Sequence, residues 1–177
     1  MLSNILKELI TFFKKMLRAS LLRSELYKEV GRDKGNIRGV VLVILICGIC
    51  DGIGFIGIRG AEVILPAILS RYIGWFLLCA VIYLVGVKMF EHTSDMGEIM
   101  RVTGFANSPG VLAVLGIIPV AGNFIRAVSF LWMIAAYIVA VRQSLDCSTA
   151  RSIFIVIQGF IIFLIVYILF VLFDILF

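Results

Sequence analysis

Residues 152–173 run for 22 positions without a charge. As a helix rising 1.5 Å per residue this stretch covers about 33 Å, enough to cross a hydrocarbon core of about 30 Å. Residues 102–125 add another 24 uncharged positions, and further apolar runs begin near residues 39, 72 and 123. Of the 177 residues 62% are hydrophobic and 15% charged. A soluble domain carries about 45–50% apolar and about 25% charged residues, so too few charges are present here to cover a water-facing surface. Lipid must be the solvent, and in lipid the backbone has to satisfy its own hydrogen bonds, which favours helices. The chain therefore reads as an all-α membrane protein, a bundle of about five transmembrane helices with an N-terminal amphipathic interfacial helix.

The expected spans are 39–58, 72–90, a short third segment, 123–141 and 152–173. Residues 61–71, with Glu62, Pro66 and Arg71, are expected to cross the outer interface obliquely. Gly48 and Gly52 form a small-xxx-small pair that allows close helix approach. Thr93 and Ser94 are candidate caps for a short helix holding Met96, Ile99 and Met100. The third segment, 102–121, is broken by Pro109, Pro119 and Gly122. Its clean helical piece, 109–121, is only about 20 Å long, so it either spans with its flanking turns or is re-entrant. Five spans place thirteen Lys/Arg on the N-terminal side and three, Arg59, Arg71 and Arg126, opposite. A re-entrant third segment makes the split twelve to four, and either count predicts a cytoplasmic N-terminus.

Residues 1–38 read as a cytoplasmic N-terminal region and 39–177 as the transmembrane domain. Leu2, Ile5, Leu6, Leu9, Phe13, Met16 and Leu17 recur at helical spacing, opposite Lys7, Thr11, Lys14, Lys15 and Arg18. That period fits a helix lying in the membrane interface, and equally one packed on the bundle. Residues 24–38 are polar and read as the approach to the first span. The basic block next to an apolar run points to anionic lipid as partner and away from nucleic acid. Lys7, Glu8, Lys14 and Lys15 interrupt any signal-peptide core, so this region is expected to remain in the mature protein.

Asp51 is the sharpest chemical feature. A carboxylate deep in a span costs on the order of 2.5–3.5 kcal/mol and needs a partner, a proton or water. Arg126 and Arg59 are the candidate partners. Asn107, Ser108, Pro109 and Gly110 form a helix-start signal, and free N–H groups at a helix start inside a membrane favour an anion or carbonyl. Arg142 and Asp146 have the spacing of a helical ion pair, and Arg151 is placed to meet lipid phosphate. Cys47 and Cys50 have redox spacing inside an apolar span, where thiolate is disfavoured. His92, Glu91 and Asp95 are a weak metal set. No nucleophile elbow, zinc-protease motif, phosphate-binding loop or catalytic carboxylate pair is present, and no cofactor is expected.

Gly104-Phe105-Ala106-Asn107-Ser108-Pro109-Gly110 is followed by Gly116-Ile117-Ile118-Pro119, Leu131-Trp132 and Arg142-Gln143-Ser144-Leu145-Asp146. In this order, and with Tyr27 to Val30 and Gly74-Trp75, the chain resembles the Yip1 family of multi-spanning membrane proteins, in its prokaryotic branch, over residues 22–165. The resemblance implies a five-helix bundle with a cytoplasmic N-terminus. Eukaryotic members are linked to vesicle trafficking and bind Rab-type GTPases. This chain lacks their Asp-Leu-Tyr-Gly-Pro signature and has a short N-terminal region, which argues against GTPase binding. Arg151-Ser152 stands where many members have Arg/Lys-Ala.

Two functions are compatible with these residues. The first is a non-enzymatic, membrane-organising or scaffold protein of the cell membrane, with a homo-oligomer or a membrane protein as partner. The alternative is a small channel or transporter using Asp51 and the broken segment 102–121.

Overall fold

The computed structural model describes the backbone of residues 2–91 and 93–176 and the side chains of residues 6–91, 93–165 and 168. The described residues are almost entirely helical. In chain order the α-helices are α1 (Leu2–Ser20), α2 (Ser24–Arg32), α3 (Ile37–Arg59), α4 (Ile64–Ile82), α5 (Met96–Ala106), α6 (Gly122–Ser144) and α7 (Thr149–Leu176). A π-helical stretch, Tyr83–Met89, prolongs α4, and a 3-10 helix, Ser108–Ile117, follows α5. Three stretches among the described residues, Lys34–Arg59, Ala61–Met89 and Gly122–Ser144, are long and apolar enough to cross a membrane.

α3 and α4 form an antiparallel hairpin. Gly60 closes it in the left-handed region (φ 81°), a conformation glycine adopts without steric cost. Gly48 and Gly52 perform the close approach expected of them: a methyl on either would fall within 2.8 Å of the Ile68 or Ile64 backbone. Helix α4 begins at Ile64, well before the expected start near residue 72. Pro66 lies in the first turn, where an N–H has no intrahelical partner to lose, so it starts the helix rather than breaking it. Residues 64–71 are therefore helical, and Arg71 is carried into the bundle.

The third segment follows α3 in the same direction. Gly39 faces Phe105, Gly104 faces Val40, the Cys47 thiol donates to the Asn107 carbonyl (3.2 Å), and Gly54 faces the Ala113 carbonyl. From Gly39 to Gly54 is about 22 Å of α-helix, and from Phe105 to Ala113, mostly 3-10 helix, about 16 Å. The two thus run side by side from the Gly39 end of the bundle, here called proximal, toward the Gly60 end, called distal. The helix start expected at Ser108-Pro109 is the start of this 3-10 helix, with Pro109 in its first turn, and no open N-terminus is exposed there. The chain runs straight out of α5, with Asn107 N–H donating to Gly104 (3.2 Å) and Gly110 N–H to Asn107 (2.7 Å).

α6 returns antiparallel to this segment, with Arg126 at Gly116 and Ser129 at Pro109. α7 packs against α4, where Gly159 meets Leu78 and Gly74 meets Phe163. The buried core includes Ile44, Ile82, Ile99, Phe105, Val141 and Ile155. Much of the perimeter is apolar and exposed, as at Leu65, Leu69, Ile73, Phe76, Phe154 and Ile161. A perimeter of that kind is untenable in water and natural in lipid.

Residues 24–32 depart from the expected polar approach. They form α2 and bury Leu26, Tyr27 and Val30, with the Tyr27 hydroxyl donating to the Ala19 carbonyl (3.0 Å). The cap of α5 also differs. Asp95, not Thr93 or Ser94, accepts from the Glu98 N–H (2.6 Å). Ser94 instead donates to the Glu98 carboxylate (3.2 Å). Burial holds the Glu98 carboxyl above the ordinary carboxylate range; the Ser94 hydrogen bond opposes this, Asp95 and Asp146 add to it and Arg101 offsets it. A carboxyl that binds its proton more tightly when folded loses stability as pH rises through its folded pKa. Glu98→Gln should therefore raise the melting temperature at neutral pH and flatten the stability profile above the ordinary carboxylate range. Thermal unfolding in detergent from pH 4 to pH 8 would show it. An unchanged profile would contradict the assignment.

Candidate functional site

The site is a polar knot inside the bundle, and its central pair was not anticipated. Asp51 binds Arg71, neither Arg126 nor Arg59. The hairpin explains the pairing. Asp51 precedes the Gly60 turn by about as many residues as Arg71 follows it, so both reach a similar depth. The side chains are 24% and 14% exposed, so the ion pair is largely shielded. Arg71 also donates to Asn107 Oδ1 (3.5 Å) and contacts the Met133 sulfur (3.1 Å).

Asn107 is the hub. Its Oδ1 accepts from the Tyr137 hydroxyl (3.0 Å) as well as from Arg71, and its Nδ2 donates to the Thr103 carbonyl (3.1 Å). Its side chain does not cap the 3-10 helix. Ser108 donates back to the Phe105 carbonyl (2.7 Å), and the Pro109 carbonyl accepts from Ser129 (3.0 Å). Gly110 lets Arg71, Met133 and Cys47 close around the backbone. The predicted residues Asp51, Asn107, Ser108, Pro109 and Gly110 thus converge. Arg71, Tyr137 and Met133 complete the set and were missed. Pro66 as a first-turn proline was the available signal for Arg71.

Arg126 forms a separate, distal joint. Its Nη1 donates to the carbonyls of Gly54 (2.7 Å) and Gly116 (3.0 Å), and Nη2 donates to Asn123. The guanidinium lies 4.4 Å from the Phe55 ring centre, a cation–π contact shared at 5.8 Å by Arg59. Between knot and joint lies a cavity of about 550 Å³, walled by α4, α6, α7 and the last turns of α3.

The proximal basic residues divide into two groups. Lys15 donates to Asn36 (2.8 Å) and Arg18 to Glu29 (2.8 Å), tying α1 to its neighbours, whereas Lys7 and Lys14 are exposed. Arg142 and Asp146 do not form the expected helical pair. α6 ends at Ser144, Asp146 adopts a left-handed conformation (φ 44°), and Arg142 donates to Thr149 (3.3 Å). Arg151 is exposed at the start of α7. His92 of the weak metal set lies outside the described residues.

The family model of the Yip1 domain matches residues 23–173, most of the chain. The chain belongs to the Yip1 family. No curated protein and no solved structure was found to match it. Several residues that carried the resemblance to Yip1 proteins serve as joints of this fold. Trp75 donates to Thr103 (3.1 Å), Trp132 to the Ser20 carbonyl (2.8 Å), and Leu145 packs where Gly86 leaves room.

Proposed function

We propose that this Yip1-family chain is a non-enzymatic membrane-organising protein, acting through helix packing, lipid contact and binding to a second copy or another membrane protein. One observation carries the reading: the polar groups around Asp51 are engaged with one another. Asp51, Arg71, Asn107, Thr103 and Tyr137 join α3, α4, α5 and α6 into one body. A conducting path needs polar groups free to meet water or an ion, whereas here the carboxylate is neutralised and the N–H groups of Asn107 and Gly110 are bonded. The course of the third segment beside α3 supports five crossings. With thirteen Lys/Arg at the proximal end and three at the distal end, the positive-inside rule puts the N-terminus in the cytoplasm of a cell-membrane protein. Residues 1–38 then form its cytoplasmic head.

Two measurements test this. The particle extracted in mild detergent should exceed the mass of one 19.7 kDa chain after the detergent is subtracted. Ion flux through proteoliposomes should be absent, or unchanged by Asp51→Asn. A strictly monomeric, partner-free protein, or flux abolished by that substitution, would overturn the proposal.

Helix α1 supports the lipid part of the reading, because its circumference divides in three. Phe12, Met16 and Ala19 face the bundle; Leu6, Leu9, Ile10, Phe13, Leu17 and Leu21 are exposed; Lys7, Thr11, Lys14 and Arg18 form the remaining side. A helix lying on the bundle flank, with one apolar face among acyl chains and cations among phosphates, satisfies all three sectors. Each surface lysine near anionic lipid contributes about 1 kcal/mol. Residues 6–21 should therefore exchange amide hydrogens more slowly in nanodiscs of anionic than of zwitterionic lipid. Lys7→Gln with Lys14→Gln should erase roughly 30-fold of that difference. Equal exchange in both lipids would count against α1 as an anionic-lipid contact.

A further inference from the structure

We propose that the cavity between α4, α6 and α7 is a binding site for one anionic phospholipid of the distal leaflet, with its phosphate at Arg126 and Arg59 and an acyl chain along the interior wall.

The volume, about 550 Å³, lies within the range of about 300–1,000 Å³ usual for small-molecule sites. Its lining is polarised along the bundle axis. At the distal mouth stand Arg59 and Arg126, both against the Phe55 ring. Further in, the neutralised Asp51–Arg71 pair, Asn107 and Tyr137 form one side of the wall, and Trp75, Leu78, Phe160 and Phe163 form an apolar side on α4 and α7. Unpaired cations at the mouth and an apolar wall along α4 and α7 match an anionic amphiphile.

The charge is uncompensated. Three arginines and one carboxylate line the cavity, and the carboxylate is taken by Arg71. Among the described residues no carboxylate lies within ion-pair distance of Arg126 or Arg59. A guanidinium has five N–H donors. Arg126 spends three of them on Gly54, Gly116 and Asn123, which fixes its plane. Nε–H and one Nη2–H are left to donate to phosphate oxygens.

The position of the cavity selects a membrane lipid as the occupant. Phe130 and Phe163 line it and are 47% and 37% exposed, so it opens on the apolar perimeter. A lipid can enter sideways without leaving the bilayer. This inference rests on the membrane placement of the chain and is independent of its oligomeric state, so a monomeric particle would overturn the scaffold reading and leave this one standing.

The full chain, reconstituted with equal phosphatidylglycerol and phosphatidylcholine and then extracted in mild detergent, is examined by native mass spectrometry. The expected result is one retained phosphatidylglycerol per chain. Arg126→Gln should lower retention about tenfold, the loss of about 1.4 kcal/mol. Because Arg126 also bonds backbone, two variants at less constrained positions accompany it. Arg59→Gln removes an exposed cation, and Ala67→Phe fills the cavity without changing charge; both should lower retention while circular dichroism stays unchanged. Equal retention of the two lipids, or retention indifferent to Ala67→Phe, would overturn the proposal. So would thermal stabilisation by inorganic phosphate equal to that by phosphatidylglycerol, which would mark a soluble-anion site.

Discussion

Asp51→Ala should destabilise the protein by about 3–5 kcal/mol, the cost of breaking a buried ion pair on one side. The loss of Asp51's own contacts is the smaller part. The larger part is Arg71, left in a low-dielectric interior with a long hydrogen bond to Asn107 (3.5 Å) and a sulfur contact (3.1 Å) as its described partners. An unpaired guanidinium there must either stay desolvated or drag water in, and both options loosen the α3–α4 hairpin. Removing both charges tells a different story. Replacement of a buried pair by apolar groups of similar volume is often neutral, or stabilising by about 1–4 kcal/mol. Asp51→Leu with Arg71→Met should therefore recover most of what either single change loses. Reversible unfolding in mixed micelles, read as a double-mutant cycle, gives the coupling directly. If the single change were neutral, or the double change additive, the pair would not be the joint described here, and an Asp51 that meets water would regain standing as a transport residue.

The membrane class was legible because it depends on a sum, the apolar length of each span, which no tertiary contact can reverse. Boundaries that depend on local chemistry were less so. Residues 61–71, with Glu62, Pro66 and Arg71, read as an oblique interfacial passage; Pro66 falls in the first turn of α4, where no N–H bond is lost, and residues 64–71 are helical. That misplacement hid Arg71 and turned attention to Arg59 and Arg126 as partners for Asp51. The demand that Asp51 be paired was nonetheless readable, since it follows from the cost of burying a charge. For α1 one side packs on the bundle and another is apolar and exposed, a division that a single period cannot reveal. Leu26, Tyr27 and Val30 lie at helical spacing inside a polar stretch, and only burial against α1, α5 and α6 shows that the spacing matters. The 3-10 form of residues 108–117 left no local trace. In that segment the Ala113 carbonyl meets Gly54 on α3 and the Gly116 carbonyl meets Arg126 on α6, contacts between residues tens of positions apart.

That last contact leads to the second large effect. Gly54→Ala should destabilise the bundle by about 1–3 kcal/mol or more, the cost of overpacking a site that cannot yield. A methyl at Gly54 would project onto the Ala113 carbonyl, with the Ala113 carbonyl carbon 3.2 Å from it. The obstacle is backbone, so no rotamer change relieves it; α3 and the 3-10 segment must separate. Separation would also lengthen the Arg126 hydrogen bonds, since Arg126 bridges the Gly54 and Gly116 carbonyls. Gly57, one turn further along α3, is the internal control. It shares the helix and the gain in propensity, yet a methyl there meets nothing within 4 Å. Gly57→Ala should be stabilising by roughly 0.5–1 kcal/mol, the helical advantage of alanine over glycine. Opposite signs at two glycines three residues apart cannot come from propensity or from hydropathy, both of which change identically. They require that the third segment lie against α3 at residue 54 and leave it free at residue 57. Equal shifts at both positions in a thermal unfolding series would mean that the segment does not follow α3 to its distal end, and the through-passage argument for five crossings would fall with it.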